Sequence, residues 1–184
     1  GEWVVTQAAL ILDSQAQLAH AALAVAAADQ ASDAPPVRVD AGLAAHDEQA
    51  YALLRTLVFA TADAASPLAA DDLAGYRQAL PALNQALSAY LAGHAPAARG
   101  PLAPFAGKLA EGPDLEAARR AFEPFSTAVS DLAREQHLHH REQLWIFQCP
   151  MSPVLGTARW PSRSQQLSNP FFGSAMLRCG SEVK

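Results

Sequence analysis

Between residues 43 and 135 the apolar positions recur in steps of three and four, the period of an amphipathic helix. The stretch 43–61 places Ala50, Leu54, Leu57 and Val58 on one face. Ser66-Pro67 reads as a start signal, with Ser as N-cap and Pro in the first turn. The second helix follows it, with the stripe Leu73, Tyr76, Leu80, Leu83, Leu87 and Tyr90. Pro81 falls inside that stripe and predicts a kink or a division; Gly93 reads as a stop. After a loop over 94–100, a shorter helix over 101–110 turns Leu102, Phe105 and Leu109 inward. Gly112-Pro113-Asp114 breaks and recaps the chain. A fourth helix over 114–135 buries Leu115, Ala118, Phe122, Phe125, Val129 and Leu132. The fold class expected is therefore mainly α, an up-and-down four-helix bundle with short connections.

The two ends depart from this period. Trp3, Val4 and Val5 look like a strand, and 8–12 is an apolar run. So short a strand has no stability alone, so residues 1–28 read as the tail of a preceding β-rich domain. Pro35-Pro36 blocks helix and favours extended chain, which makes 29–41 a linker and 42–184 the bundle with its tail. After His140, Leu144, Trp145, Ile146 and Phe147 suggest a short strand. From Cys149 onward Pro, Gly, Ser and Asn recur, predicting an irregular tail of turns.

Composition narrows the classes. The hydrophobic fraction of 51% in 184 residues is rich in Ala, and charged residues make up 17%, which describes a compact helical protein and not a disordered one. The net charge of −5 argues against a nucleic-acid partner. No apolar run approaches the roughly 20 residues that span a bilayer, so no membrane span is expected. The chain does not begin with Met and carries no signal peptide, and reads as a mature piece of something larger. No GxSxG, HExxH or phosphate-binding Gly loop occurs, and Asp71-Asp72 reads as a helix-start pair, so no enzyme and no organic cofactor are expected.

The sulfur residues carry the chemistry. The chain has two Cys and two Met, and they stand side by side twice: Cys149 with Met151, and Met176 with Cys179. In extended chain i and i+2 project to one side, so Cys149 and Met151 form one clip, stiffened by Pro150. On a helical turn i and i+3 share a face, so Met176 and Cys179 form a second. Two thiolates and two thioethers converging would select Cu(I), or Ag(I), over hard cations. The competing expectation is a Cys149–Cys179 disulfide worth roughly 3 kcal/mol, with the methionines as filler. The residues alone leave both open. Trp160, Phe171 and Phe172 are available to shield the site, and Gly173 to supply an unusual backbone conformation. His137, His139 and His140 form a His-rich tract that reads more simply as a solvated helix end. His94 is a further candidate ligand, and His20 and His46 look like helix surface.

At the tail the pattern becomes specific. Cys149-Pro150-Met151, Trp160, Asn169-Pro170-Phe171-Phe172-Gly173, Met176-Leu177 and Cys179-Gly180 resemble a bacterial domain that follows a helical bundle. In that family the sequence runs Cys-Pro-Met-Ala, Gly-Ala-x-Trp, and Asn-Pro-Tyr-Tyr-Gly with a Met-Leu-x-Cys-Gly end. Here Ser152 replaces Ala and Phe171-Phe172 replaces the Tyr pair; the sulfur residues are intact. Residues 114–122, with Phe125-Ser126 after them, also match, and the resemblance covers about 43–180. The domain is often fused to periplasmic adaptor subunits of RND-type heavy-metal efflux systems, similar to the Cus copper/silver system. Residues 10–18 resemble the segment that closes the adaptor's membrane-proximal β-domain. The resemblance implies a periplasmic adaptor, or membrane fusion, subunit. Its C-terminal domain would carry Cu(I) or Ag(I) as cargo on Cys149, Met151, Met176 and Cys179. Its implied partners are the RND pump and outer-membrane channel, with a periplasmic copper carrier as a further one. The alternative is a structural module of the adaptor, stapled by a disulfide and free of metal.

Overall fold

The computed structural model describes residues 41–107 and 109–183, with side chains from Asp47 onward. The expected strand near Trp3, the adaptor remnant over 1–28 and nearly all of the linker lie outside the described residues. Three long helices form: α1 Ala41–Ala69, α2 Leu73–Ala92 and α3 Leu115–Glu135. A single turn, α4 Leu138–Arg141, follows α3. Three strands then form an antiparallel sheet, β1 Trp145–Ser152, β2 Gly156–Ser162 and β3 Ser181–Glu182, in the order β2-β1-β3. The protein is mostly helical with a small sheet, and no described helix is long and apolar enough to cross a membrane.

Several elements differ from expectation for identifiable reasons. The first helix does not stop at residue 61 but runs through Ser66-Pro67 to Ala69. Ala62, Ala64, Ala65 and Leu68 are all buried, and that apolar face, with the helix propensity of Ala, outweighs the cost of an interior proline. The N-cap of α2 is Asp72, whose carboxylate accepts from Gly75 N at 2.8 Å. Pro81 does not divide α2. The helix expected over 101–110 is instead a 3-10 segment, Gly100–Phe105, preceded by another at Pro96–Ala98. Pro96, Pro101 and Pro104 remove backbone donors there and disfavour a longer α ladder. Leu102 is nevertheless fully buried.

The fourth expected helix forms, although Leu115 and Leu132, expected to be buried, are only partly so. Asp114 caps it, accepting from Ala117 N at 2.8 Å, and Ala118, Phe122, Phe125 and Val129 are wholly buried. The tail is more regular than its Pro and Gly content predicts. β1 and β2 form a hairpin in which Phe147 faces Trp160 and Cys149 faces Ala158. Cross-strand aromatic packing at 5.7 Å between ring centres supports the pairing. The polar groups of β2 turn toward α3: Ser126 Oγ donates to Arg159 O at 3.0 Å, and Arg159 N donates to Thr127 Oγ1 at 3.0 Å. Arg159 also pairs with Asp131 at 2.9 Å.

Candidate soft-metal and thiol site

Cys149 and Cys179 meet. Their sulfur atoms lie 3.2 Å apart, both as free thiols. Cys149 is completely buried in the hydrophobic core, opposite Ala158, whereas Cys179 is part-exposed and packs against that core. The hydrogen bond with Cys149, and then burial, push the Cys179 thiol above its ordinary range.

Each cysteine is placed by its own device. Cys149 is set by the register of β1 against β2. Cys179 hangs from Asn169, a wholly buried side chain. Asn169 Nδ2 donates to Cys179 O at 2.9 Å, its Oδ1 accepts from Phe171 N at 2.8 Å, and its backbone N donates to Leu177 O at 2.9 Å. The loop that Asn169 opens is in turn clamped to the helices. Arg119 donates to Leu68 O at 2.6 Å, to Pro170 O at 3.1 Å and to the Asp71 carboxylate. Asp71 also accepts from Ser174 N at 3.1 Å. Gly173 has a φ of +57°, and a Cβ there would fall onto the Arg119 guanidinium and the Asp71 carboxylate, so both the backbone and the space require glycine. At Gly180 a Cβ would lie 2.6 Å from Gln148 O, so glycine lets the segment after Cys179 pass close beside β1.

The thioethers behave differently. The register slips between Cys149 and Ser152, where three steps along β1 match two along β2. A bulge of this kind inverts the side on which later residues project. Met151 is accordingly 56% exposed while Cys149 is fully buried, so the expected i, i+2 clip does not form on one strand face. Met176 and Cys179 sit at the ends of one turn, with Cys179 N donating to Met176 O at 3.0 Å. Met176 has left helical geometry (φ −146°, ψ 47°) and is 37% exposed. Neither methionine belongs to the apolar cluster that holds the thiols. The large hydrophobics exposed among the described residues are Met151, Val154, Leu155 and Met176, all in the stretch bearing the two cysteines.

Compared with known protein families, curated proteins and solved structures, the chain matches none. The donor set must therefore be judged on its own geometry. Two sulfurs sharing a tetrahedral ion at metal–sulfur distances of about 2.3 Å stand roughly 3.8 Å apart, and a disulfide brings them to about 2.05 Å. The observed 3.2 Å lies between the two.

His94, His137, His139 and His140 do not join this site. His94 Nδ1 bonds Tyr90 O at 2.7 Å and its ring stacks on Tyr90 at 4.1 Å. It lines a cavity of about 480 Å³ with Tyr51, Gln136 and Arg141, in which no sulfur residue takes part. His139 and His140 lie ring against ring at 3.9 Å. Burial, then the neighbouring His140, lower the pKa of His139. Among the described residues no group of three or more His, Cys, Asp or Glu side chains is arranged to hold a metal.

Sequence reasoning missed Glu123. This carboxylate is fully buried in α3 and accepts from Val154 N at 3.0 Å and Leu155 N at 2.7 Å, so it holds the turn of the hairpin that carries Met151. Its only signal was a polar series, Glu123, Ser126 and Ser130, running beside the apolar stripe of α3. That series reads equally well as a solvent face.

Proposed function

We propose that this domain is the soft-metal-binding module of a periplasmic adaptor subunit in an RND-type heavy-metal efflux system. Cys149 and Cys179 take Cu(I) or Ag(I) as cargo and hand it on toward the pump. The observation that supports this assignment is the meeting of two thiols from segments 30 residues apart, one of them open to solvent. Two thiolates form a soft donor pair suited to a monovalent coinage ion. The exposed Met151 and Met176 serve as thioether donors at the rim, where cargo arrives and leaves by ligand exchange. The adaptor context comes from the resemblance of residues 10–18 and of the tail. No catalytic role belongs to this function.

The decisive experiment is a titration of the reduced protein with Cu(I) against a competing chromophoric chelator. One ion per chain is expected, lost in the joint Cys149→Ser, Cys179→Ser variant. Replacing both methionines by Leu is expected to leave folding within about 0.5 kcal/mol of the parent, since both are surface positions, and to weaken Cu(I) binding measurably. No uptake by the reduced parent protein would remove the assignment.

A specific observation favours a second reading, a structural module closed by a Cys149–Cys179 disulfide. The sulfurs stand closer than roughly 3.8 Å, the spacing a shared tetrahedral ion asks for, and the thioethers lie outside the cluster around them. Thiol alkylation and mass measurement of protein isolated from the periplasm separates the two. Fully blocked thiols in metal-free protein would favour the staple.

A further inference from the structure

We propose that Cys149 and Cys179 form a reversible thiol–disulfide exchange site, with Cys179 as the entry thiol, Cys149 as the resolving thiol, and disulfide formation expelling the metal. The metal half of this inference rests on the function proposed above; the exchange half does not.

Three observations carry it. The sulfurs at 3.2 Å need to close by only about 1.2 Å to bond, and to open by about 0.6 Å to share a tetrahedral ion, so one pair of side chains is near both states and able to occupy only one. The two cysteines also differ in access: Cys149 is completely buried, and Cys179 is part-exposed. An incoming disulfide therefore reaches Cys179 first. Finally, Cys179 lies in a short turn between Met176 and the two-residue strand β3, a segment with less pairing to resist a small displacement than the centre of β1.

The chemistry balances with a low-molecular-weight or protein disulfide as oxidant. The Cys179 thiolate attacks one sulfur of the incoming R–S–S–R, forming a mixed disulfide and releasing RS⁻. The Cys149 thiolate then attacks the Cys179 sulfur, forming the intramolecular disulfide and releasing a second RS⁻. The protein loses two electrons and the reagent gains them. A bound Cu(I) or Ag(I) keeps its oxidation state and leaves on the released thiolates. Reduction by a dithiol reverses the sequence and restores the site.

Oxidised glutathione and Ag(I) are suitable probes, silver having no redox chemistry of its own here. The reduced parent protein is expected to lose two hydrogens in mass and retain no glutathione. Cys149→Ser is expected to accumulate a single mixed disulfide at Cys179. Cys179→Ser is expected to react about tenfold more slowly or worse, because its remaining thiol is buried. Should either variant fold poorly, peptide mapping of partially alkylated parent protein reads the same order, Cys179 before Cys149. Equal reactivity, or Cys149 first, overturns the order of attack. A lasting glutathione adduct on the parent protein overturns the resolving role. Silver-loaded protein is expected to release its ion as the disulfide forms, and retention of silver by the oxidised protein overturns the expulsion. Failure of the reduced protein to take up silver overturns the metal-binding function together with the expulsion, while the mass changes still decide the exchange.

Discussion

Replacing Glu123 by Ala is expected to cost this domain about 3 kcal/mol, although its hydrogen bonds go to the hairpin turn and not to either thiol. The carboxylate is wholly buried in α3. It accepts from Leu155 N at 2.7 Å and from Val154 N at 3.0 and 3.2 Å through its two oxygens. A buried amide left without its acceptor costs about 1–3 kcal/mol, so two orphaned amides set a range of about 2–6 kcal/mol. The side chains of Val154 and Leu155 are nearly half exposed, so water reaches part of the turn and the lower half of the range applies. Losing a buried charge also returns some desolvation free energy, which acts in the same direction. Glu123→Gln separates the contributions. Its carbonyl oxygen still accepts from both amides, as Oε1 does in the parent, but charge assistance is lost and an NH₂ group comes to face Val154 N. That variant is expected to cost about 1 kcal/mol, the difference between a charged and a neutral acceptor. Urea unfolding followed by circular dichroism ranks the three proteins. A loss of about 3 kcal/mol corresponds to a melting temperature lower by roughly 10 °C in a domain of this size. Amide exchange at Val154 and Leu155 reports the turn directly and is expected to quicken in Glu123→Ala. Stability within about 0.5 kcal/mol of the parent, the range of an ordinary surface change, with unchanged exchange at both amides, would refute the claim that this carboxylate holds the hairpin.

Three further outcomes follow from the clamp around the loop. Gly173→Ala is expected to lose about 2 kcal/mol or more in urea unfolding, because a positive φ and a filled space are both violated. Asp71 titrates below the ordinary carboxylate range because of its hydrogen bonds from Ser174 and then from Arg119. With the folded pKa below the unfolded one, its contribution is complete above the unfolded value of 3.8 and is lost as pH falls through the folded value. Asp71→Asn is therefore expected to lower stability at pH 7, with the difference from the parent shrinking as pH drops below about 4 in a series of unfolding curves. Asn169→Ala deletes the side-chain contacts to Cys179 O and Phe171 N. It is expected to cost about 2–3 kcal/mol and to raise the alkylation rate of Cys179 under native conditions.

The long helices were legible because apolar positions at the helical period leave little alternative: Tyr76, Leu80, Leu83 and Leu87 in α2 and Ala118, Phe122, Phe125 and Val129 in α3 are buried as their spacing requires. The helix boundaries were less so. Ser66-Pro67 carries a start signal by local chemistry, yet the buried Ala64, Ala65 and Leu68 decide the matter by packing, which the local pattern does not contain. The hairpin was half legible. Leu144 to Phe147 announced β1, but Pro150 and Pro161 masked how far the pairing extends. In the candidate site, the structure brings the two cysteines into contact. The placement of the methionines was not legible, because a bulge of one residue inverts the side on which Met151 projects and nothing in the sequence marks it.

The contact between the two sulfurs is held from α3, whose hydrogen bonds go to residues beside the cysteines and not to the thiols. Arg119, Glu123, Ser126 with Thr127, and Asp131 follow one another at helical spacing, and each grips a different part of the tail. Arg119 holds the backbone at Pro170, Glu123 holds the turn at Val154 and Leu155, and Ser126, Thr127 and Asp131 hold Arg159. Cys149 is positioned through this row because its cross-strand partner Ala158 adjoins Arg159. Cys179 is positioned through it because Asn169, which bonds its carbonyl, adjoins Pro170. The two thiols thus hang from grips spread along about 18 Å of one helix, and that helix sets the resting separation from which the turn bearing Cys179 moves. Substitutions on this polar face of α3 should therefore alter thiol reactivity and metal affinity from a distance, and in proportion to the grip they remove. The apolar stripe beside it should govern stability alone.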